Sequence, residues 1–177
     1  MAKETEKINV LNLIGAILMW IIVAAWTFLI FKLSSENAFA SYARSLDFAN
    51  LFFRWTGIEL TQTIVRKGAI IGEFALLSFS VYFGMVYTNG ISEKYSFAAS
   101  PIKLVKHSNE LCILYALWIT IFIAALNEYF QLFVEGRDAT ITDIGFAADS
   151  AVVVLAICRM CFLIRLKLEN KEEIDYQ

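Results

Sequence analysis

Apolar residues in this chain fall into four long runs, at about residues 10–31, 68–87, 111–133 and 144–163. Each is close to the roughly 20 residues a helix needs to cross about 30 Å of hydrocarbon. Backbone in lipid must satisfy its own hydrogen bonds, so such runs form helices. The first run carries no charge and the second only Glu73. The third has Asn127, Glu128 and Gln131 near its end, and the fourth has Asp149 early and Arg159 late. The pattern predicts an all-α polytopic membrane protein, a four-transmembrane-helix bundle formed as one unit over residues 1–177.

The connections carry the remaining signals. The longest, residues 32–67, has FANLFFRW at its centre (48–55), aromatics around a single arginine. That composition suits a segment lying in the headgroup region between the first two spans, and a short docked loop helix suits it equally. The next connection, 88–110, holds Lys94, Lys103, Lys106 and the only histidine, His107. The third, 134–143, is short, and the charged tail after Leu163 is expected to fray.

Composition narrows the class. The chain is 59% hydrophobic with one proline, more apolar surface than a soluble fold of 177 residues can hide. No basic tract suits nucleic acid. Ala38-Phe39-Ala40 has the form of a signal cleavage site, but the apolar run before it is too long for a signal peptide, so an uncleaved first span is expected. The three cysteines all lie in apolar stretches, and Cys158-x-x-Cys161 reads as packing rather than as a redox or metal motif. No cofactor and no metal are assigned.

Basic residues orient the spans. One face collects Lys3, Lys7, Lys94, Lys103, Lys106, Arg165, Lys167 and Lys171, with Arg159 able to snorkel there. The other collects Lys32, Arg44, Arg54, Arg66, Lys67 and Arg137. The bias of eight against six predicts both termini in the cytoplasm.

The second and fourth helices begin where the first and third end. Arg66, Lys67, Glu73, Glu128, Gln131, Arg137, Asp143 and Asp149 therefore belong to one membrane face, outward under the orientation above. Glu128 and Gln131 share a helix face, as do Arg66 and Glu73. Asp143, Ala147 and Ser150 form a small polar stripe on the fourth helix. Gly68 and Gly72 predict a close backbone approach beside Glu73. Each ionisable group deep in lipid costs about 2.5–3.5 kcal/mol on insertion scales, so a polar pocket of these residues is expected rather than a scatter of them. Taken singly, the groups have ordinary readings as well: an Arg66–Glu73 intrahelical pair, a solvated turn at Arg137 and Asp138, a helix cap at Asp143 or Thr142.

Residues 127–137, NEYFQLFVEGR, with Asp143-Ile144 after them, resemble the VanZ-like membrane proteins, the teicoplanin-resistance-related family. Their pattern is an acidic pair, a glutamine, a Gly-Arg and a later aspartate. Phe31-Lys32-Leu33-Ser34-Ser35 is similar to the family's Phe-x-x-Ser-Ser, and Arg66-Lys67 with Glu73-Phe74 to its Arg-Lys…His…Glu-Tyr. Here Asn127 replaces the first acid, Ile70 stands at the histidine, Phe74 at the tyrosine, and the later acid is Asp149 rather than residue 147. His107, on the opposite face, does not substitute for that histidine. The resemblance implies a divergent member in the bacterial cell membrane with a role in the envelope.

Three functions follow as expectations. The first is a pocket that binds a membrane lipid, a lipid-linked envelope precursor, an amphiphilic antibiotic or a protein partner, and that contributes to glycopeptide or lipoglycopeptide resistance. Arg66, Lys67 and Arg137 would meet anionic groups there. A membrane-protein partner or a homo-oligomer suits a chain this small and apolar. The second is an intramembrane enzyme on lipid-linked substrates, with Glu73 or Glu128 as general base and Arg137 opposite developing charge. Glu73, Glu128, Asp143 and Asp149 would then be able to offer oxygen ligands to Mg²⁺ or Ca²⁺. The third is a small transporter or proton path through the buried carboxylates.

Overall fold

The computed structural model describes residues 8–92 and 102–175. Lys3, Lys7 and Lys94, used above for orientation, lie outside them. Five helices make up the described chain: α1 Val10–Ser34, α2 Ala38–Thr56, α3 Gln62–Asn89, α4 Ile102–Gln131 and α5 Ile141–Asp175. No β-strand forms among the described residues; one isolated bridge joins Ile8 to Ser92. Four of the helices, all but α2, are long and apolar enough to cross a membrane. Leu18, Ile21, Phe28, Trp118, Phe122 and Ile157 are among the large side chains on their outer surfaces. Such apolar exteriors suit lipid and not water, so the chain is a multi-pass membrane protein.

The spanning helices run longer than their apolar runs. The 30 residues of α4 make about 45 Å of helix, well beyond the hydrocarbon. Its first turns contain Lys103, Lys106 and His107, which the hydropathy pattern had assigned to a loop. The tail after Leu163, expected to fray, continues α5 to Asp175, and Arg165 donates to Glu169 at 3.0 Å. Hydropathy marks where lipid ends, whereas intrahelical hydrogen bonds continue into the interface as long as side chains there permit.

Helix α3 is the hub, packed against α1, α4 and α5. Glycines set the α1–α3 contact: a Cβ on Gly15 would stand 2.9 Å from the Tyr87 ring, and one on Gly84 3.4 Å from Trp20. The close approach expected at Gly68 and Gly72 does not occur, since a Cβ at either would meet nothing within 4 Å. On α4, Ala116, Thr120 and Ala124 are buried, as are Ala147, Ala151 and Leu155 on α5. Small residues one turn apart let helices approach when lipid offers no hydrophobic drive to push them together. Thr120 returns its hydroxyl to Ala116 O at 2.8 Å, so its polarity costs little in the core.

Helix α2 occupies the connection between the first two spans, longer than the aromatic centre had suggested. Asn37 caps it, accepting from Ala40 N at 2.9 Å, and Gly57 ends it at φ 71°. Ser41, Ser45 and Ala49 turn one small face inward, while Phe39, Tyr42, Phe53 and Trp55 stay exposed. A helix of this kind lies along a membrane boundary with its aromatics toward lipid.

At the far end of the bundle, Asn12 Nδ2 donates to Gly90 O at 2.5 Å and Asn9 N to Ile91 O at 2.8 Å, which ties the start of α1 to the end of α3. Arg159 on α5 pairs with Glu110 on α4 at 3.0 Å.

The four-span topology has a direct test. In a background with the cysteines replaced, single cysteines at Thr61 and Asp138 are expected to react with a membrane-impermeant thiol reagent from the outside of intact cells. One at Lys106 is expected to react only after permeabilisation. Labelling of all three from one side would contradict the topology.

Candidate functional site

The site is built around the turn between α4 and α5. The last carbonyls of a helix have no intrahelical donor, and a cation near them also meets the negative end of the helix dipole. Arg137 fills that role for α1. Its Nη2 donates to Leu33 O at 3.3 Å, and its Nε to Glu36 O at 3.2 Å. Its Nη1 donates to Gln131 Oε1 at 3.3 Å. Burial, then the nearby Arg66 and Arg44, draw its pKa below the usual arginine value, and the group stays cationic because that value lies so far above neutrality. Ala38 N donates to Glu135 O at 3.3 Å, so the start of α2 rests on the same turn. Gly136 is required twice: its φ is 73°, and a Cβ there would come 3.0 Å from Ala38 Cβ.

Glu128 continues this framework. Its Oε1 accepts from Gln131 Nε2 at 3.1 Å and its Oε2 from Thr140 N at 3.0 Å. Thr140 is the residue before α5, so the carboxylate satisfies a backbone donor at the entry to that helix. Gln131 also reaches Ser34 Oγ at 3.5 Å. One chain of hydrogen bonds therefore runs from Arg137 through Gln131 to Glu128 and Thr140, with one positive and one negative end. It joins α1, α4 and α5.

Beside this chain lies a hollow with two adjoining lobes. The inner lobe, about 190 Å³, is bounded by Glu73, Asn127, Arg44 and Ser45. The outer lobe, about 340 Å³, is bounded by Lys67, Gln62, Asp138 and Thr142. Ser41, Arg66, Ile70, Arg137 and Asp143 border both. Arg66, Ile70 and Glu73 share one face of α3, at the spacing i, i+4, i+7. The small inward face of α2 supplies another wall, and Arg44 from α2 is ion-paired with Glu36. Lys67 Nζ stands 4.6 Å from the Phe146 ring centre, a cation–π contact across to α5.

Glu73 and Asn127, facing the inner lobe, stand apart from the framework. The Glu73 carboxylate makes no direct hydrogen bond or ion pair with any described residue, although Arg44 and Arg137 are within electrostatic reach. Asn127 is 4% exposed, and its Oδ1 accepts no hydrogen bond from any described residue. An unmet buried acceptor costs about 1–3 kcal/mol.

The structure thus gathers Arg66, Lys67, Glu73, Gln131, Arg137 and Asp143 at the hollow. Glu128 is buried behind it. Asp149 is exposed on α5 and borders neither lobe. The four carboxylates named as oxygen ligands do not assemble: no group of three or more His, Cys, Asp or Glu arranged for a metal occurs among the described residues. Arg66 and Glu73 share a helix face but make no direct pair. Sequence reasoning missed Arg44, Ser41 and Ser45. The serine spacing of i, i+4 in an otherwise aromatic segment was the available signal. Asn127 stood out in the sequence as a polar residue near the end of the third run and as a departure from an acidic pattern, not as a site residue.

No family model, curated protein or solved structure matches the chain.

The two carboxylates separate by experiment. Glu128→Ala and Arg137→Ala are each expected to destabilise the protein by about 2–4 kcal/mol, since each leaves buried partners unmet. Their effects should be less than additive, because one hydrogen-bond chain connects them. Glu73→Gln is expected to melt within about 0.5 kcal/mol of the parent. Thermal unfolding in detergent reads all three, and equal losses would place Glu73 in the framework too.

Proposed function

We propose that this protein is a divergent VanZ-like protein of the bacterial envelope membrane, and that its hollow, facing outward, receives the polar headgroup of an amphiphile. The observation that carries the reading is Arg66. Its guanidinium borders both lobes, yet makes no hydrogen bond or ion pair with any described residue. Guanidinium groups bind phosphate and carboxylate bidentately, and one left unpaired at a membrane boundary is suited to an anionic headgroup.

The surroundings fit an amphiphile better than a soluble anion. Phe48 on α2 borders the inner lobe and is exposed, and Ile64 and Ile71 are exposed on α3, the helix that carries Arg66; acyl chains would lie against them. Lipid-linked wall precursors and lipoglycopeptide antibiotics share this chemistry, a charged head on an apolar tail. A contribution to glycopeptide or lipoglycopeptide resistance follows from the family resemblance.

A second reading is an intramembrane enzyme acting on lipid-linked substrates, with Glu73 as general base. The free carboxylate in the hollow favours it. Binding is preferred because Ile70, one turn before Glu73 and bordering the same hollow, supplies no proton-transferring side chain where the family pattern has histidine.

The test is lipid retention. Protein purified in mild detergent and examined by native mass spectrometry is expected to keep anionic or zwitterionic phospholipid. Arg66→Ala should weaken retention about tenfold or more, and Arg66→Lys should restore part of it. Retention unchanged by Arg66→Ala would overturn the headgroup reading.

A further inference from the structure

Within the headgroup reading, on which this rests, we propose that the hollow selects an aminoalkyl phosphate, with the primary amine seated in the inner lobe and the phosphate at Arg66 and Lys67.

Several polar groups at the hollow are already engaged. Arg137 donates to Leu33 O, Glu36 O and Gln131. Arg44 is paired with Glu36. Glu128 and Gln131 satisfy each other and Thr140. The inner lobe then retains the Glu73 carboxylate and Asn127 Oδ1 as acceptors without direct donors, and the Asp143 carboxylate, also without a direct donor among the described residues, borders both lobes beside Arg66. Ser45 Oγ, which donates to Ser41 O at 2.9 Å, keeps its lone pairs as a further acceptor bordering that lobe. The junction of the lobes retains the cation Arg66, and the outer lobe has Lys67, whose ammonium lies over the Phe146 ring and has no anionic partner among the described residues.

This order of acceptors and cations matches one ligand chemistry. A primary ammonium has three N–H donors and one positive charge. It can neutralise Glu73 and supply the hydrogen bond that Asn127 lacks. A headgroup whose inner end is a neutral diol would leave Glu73 uncompensated. A trimethylated amine keeps the charge and has no N–H for Asn127. Arg66 and Glu73 are two turns apart, about 10 Å along α3. Side chains on a helix tilt toward its N-terminus, so Glu73 inclines back along the shared face toward Arg66, which leaves room for a phosphate and an amine joined by a short alkyl spacer.

The test uses delipidated protein in neutral detergent, titrated with short-chain phosphatidylethanolamine, phosphatidylcholine, phosphatidylglycerol and free O-phosphoethanolamine, with thermal shift and native mass spectrometry as readouts. The ethanolamine lipid is expected to bind about tenfold or more tightly than the choline and glycerol lipids, the worth of one charge-assisted hydrogen bond. Glu73→Gln should bring the three lipids to parity, whereas Arg66→Ala should weaken all of them. Free O-phosphoethanolamine binding as tightly as the lipid also supports the amino-phosphate assignment and makes the source soluble. Equal binding of the three lipids to the parent protein overturns the amine assignment, while a common loss on Arg66→Ala would leave the headgroup reading standing. Binding of none overturns both. The lipid series on the unaltered protein decides the matter even if a variant fails to fold.

Discussion

The guanidinium of Arg137 is the contact on which the rest of this site depends. A helix that ends at a membrane boundary leaves carbonyls without donors, in a place where water is scarce. Arg137 supplies two of those donors to the chain at the end of α1, and its third hydrogen bond turns toward α4. The turn that carries it also receives the first residue of α2. Four helix ends thus share one anchor, and the hollow is the space their ends cannot close.

That anchoring divides the polar residues by role. Glu128 and Gln131 are buried, paired and directed at backbone or at each other. They shape the hollow rather than act in it. Glu73, Asn127 and Arg66 face it with capacity left over. A membrane protein tolerates such groups when something outside the chain meets them, and this separation is the physical basis for reading the hollow as a binding site.

The opposite end of the bundle is built differently. Tyr82 donates to Asn109 Oδ1 at 2.6 Å, Asn89 to Ser108 Oγ at 3.1 Å, and Arg159 meets Glu110. Asn109 Nδ2 is the one buried side-chain nitrogen there without a partner among the described residues. Glycine contacts at Gly15 and Gly84 bring α1 and α3 together toward this end. The bundle is drawn in at one membrane face and held apart by polar side chains at the other.

Hydropathy alone determined the four spans, and counting crossings alone brought Arg66, Glu73, Gln131, Arg137 and Asp143 to one face, because lipid leaves the backbone no alternative to the helix. It also indicated an interfacial segment before Arg66, though not its full length, since helix boundaries in α2 depend on Asn37 and Gly57 rather than on apolar content. What sequence could not distinguish was Glu73 from Glu128. Both are acids within apolar runs, and their roles differ because the Gln131 amide and a backbone N–H from Thr140, twelve residues along the chain, arrive at one and not at the other. In the same way Gly68 and Gly72 had the spacing of a helix contact while Gly15 and Gly84 had the neighbours. Periodicity specifies which face a residue occupies; only the packed arrangement decides what stands opposite it, and that partner sets whether a polar group serves as structure or as site.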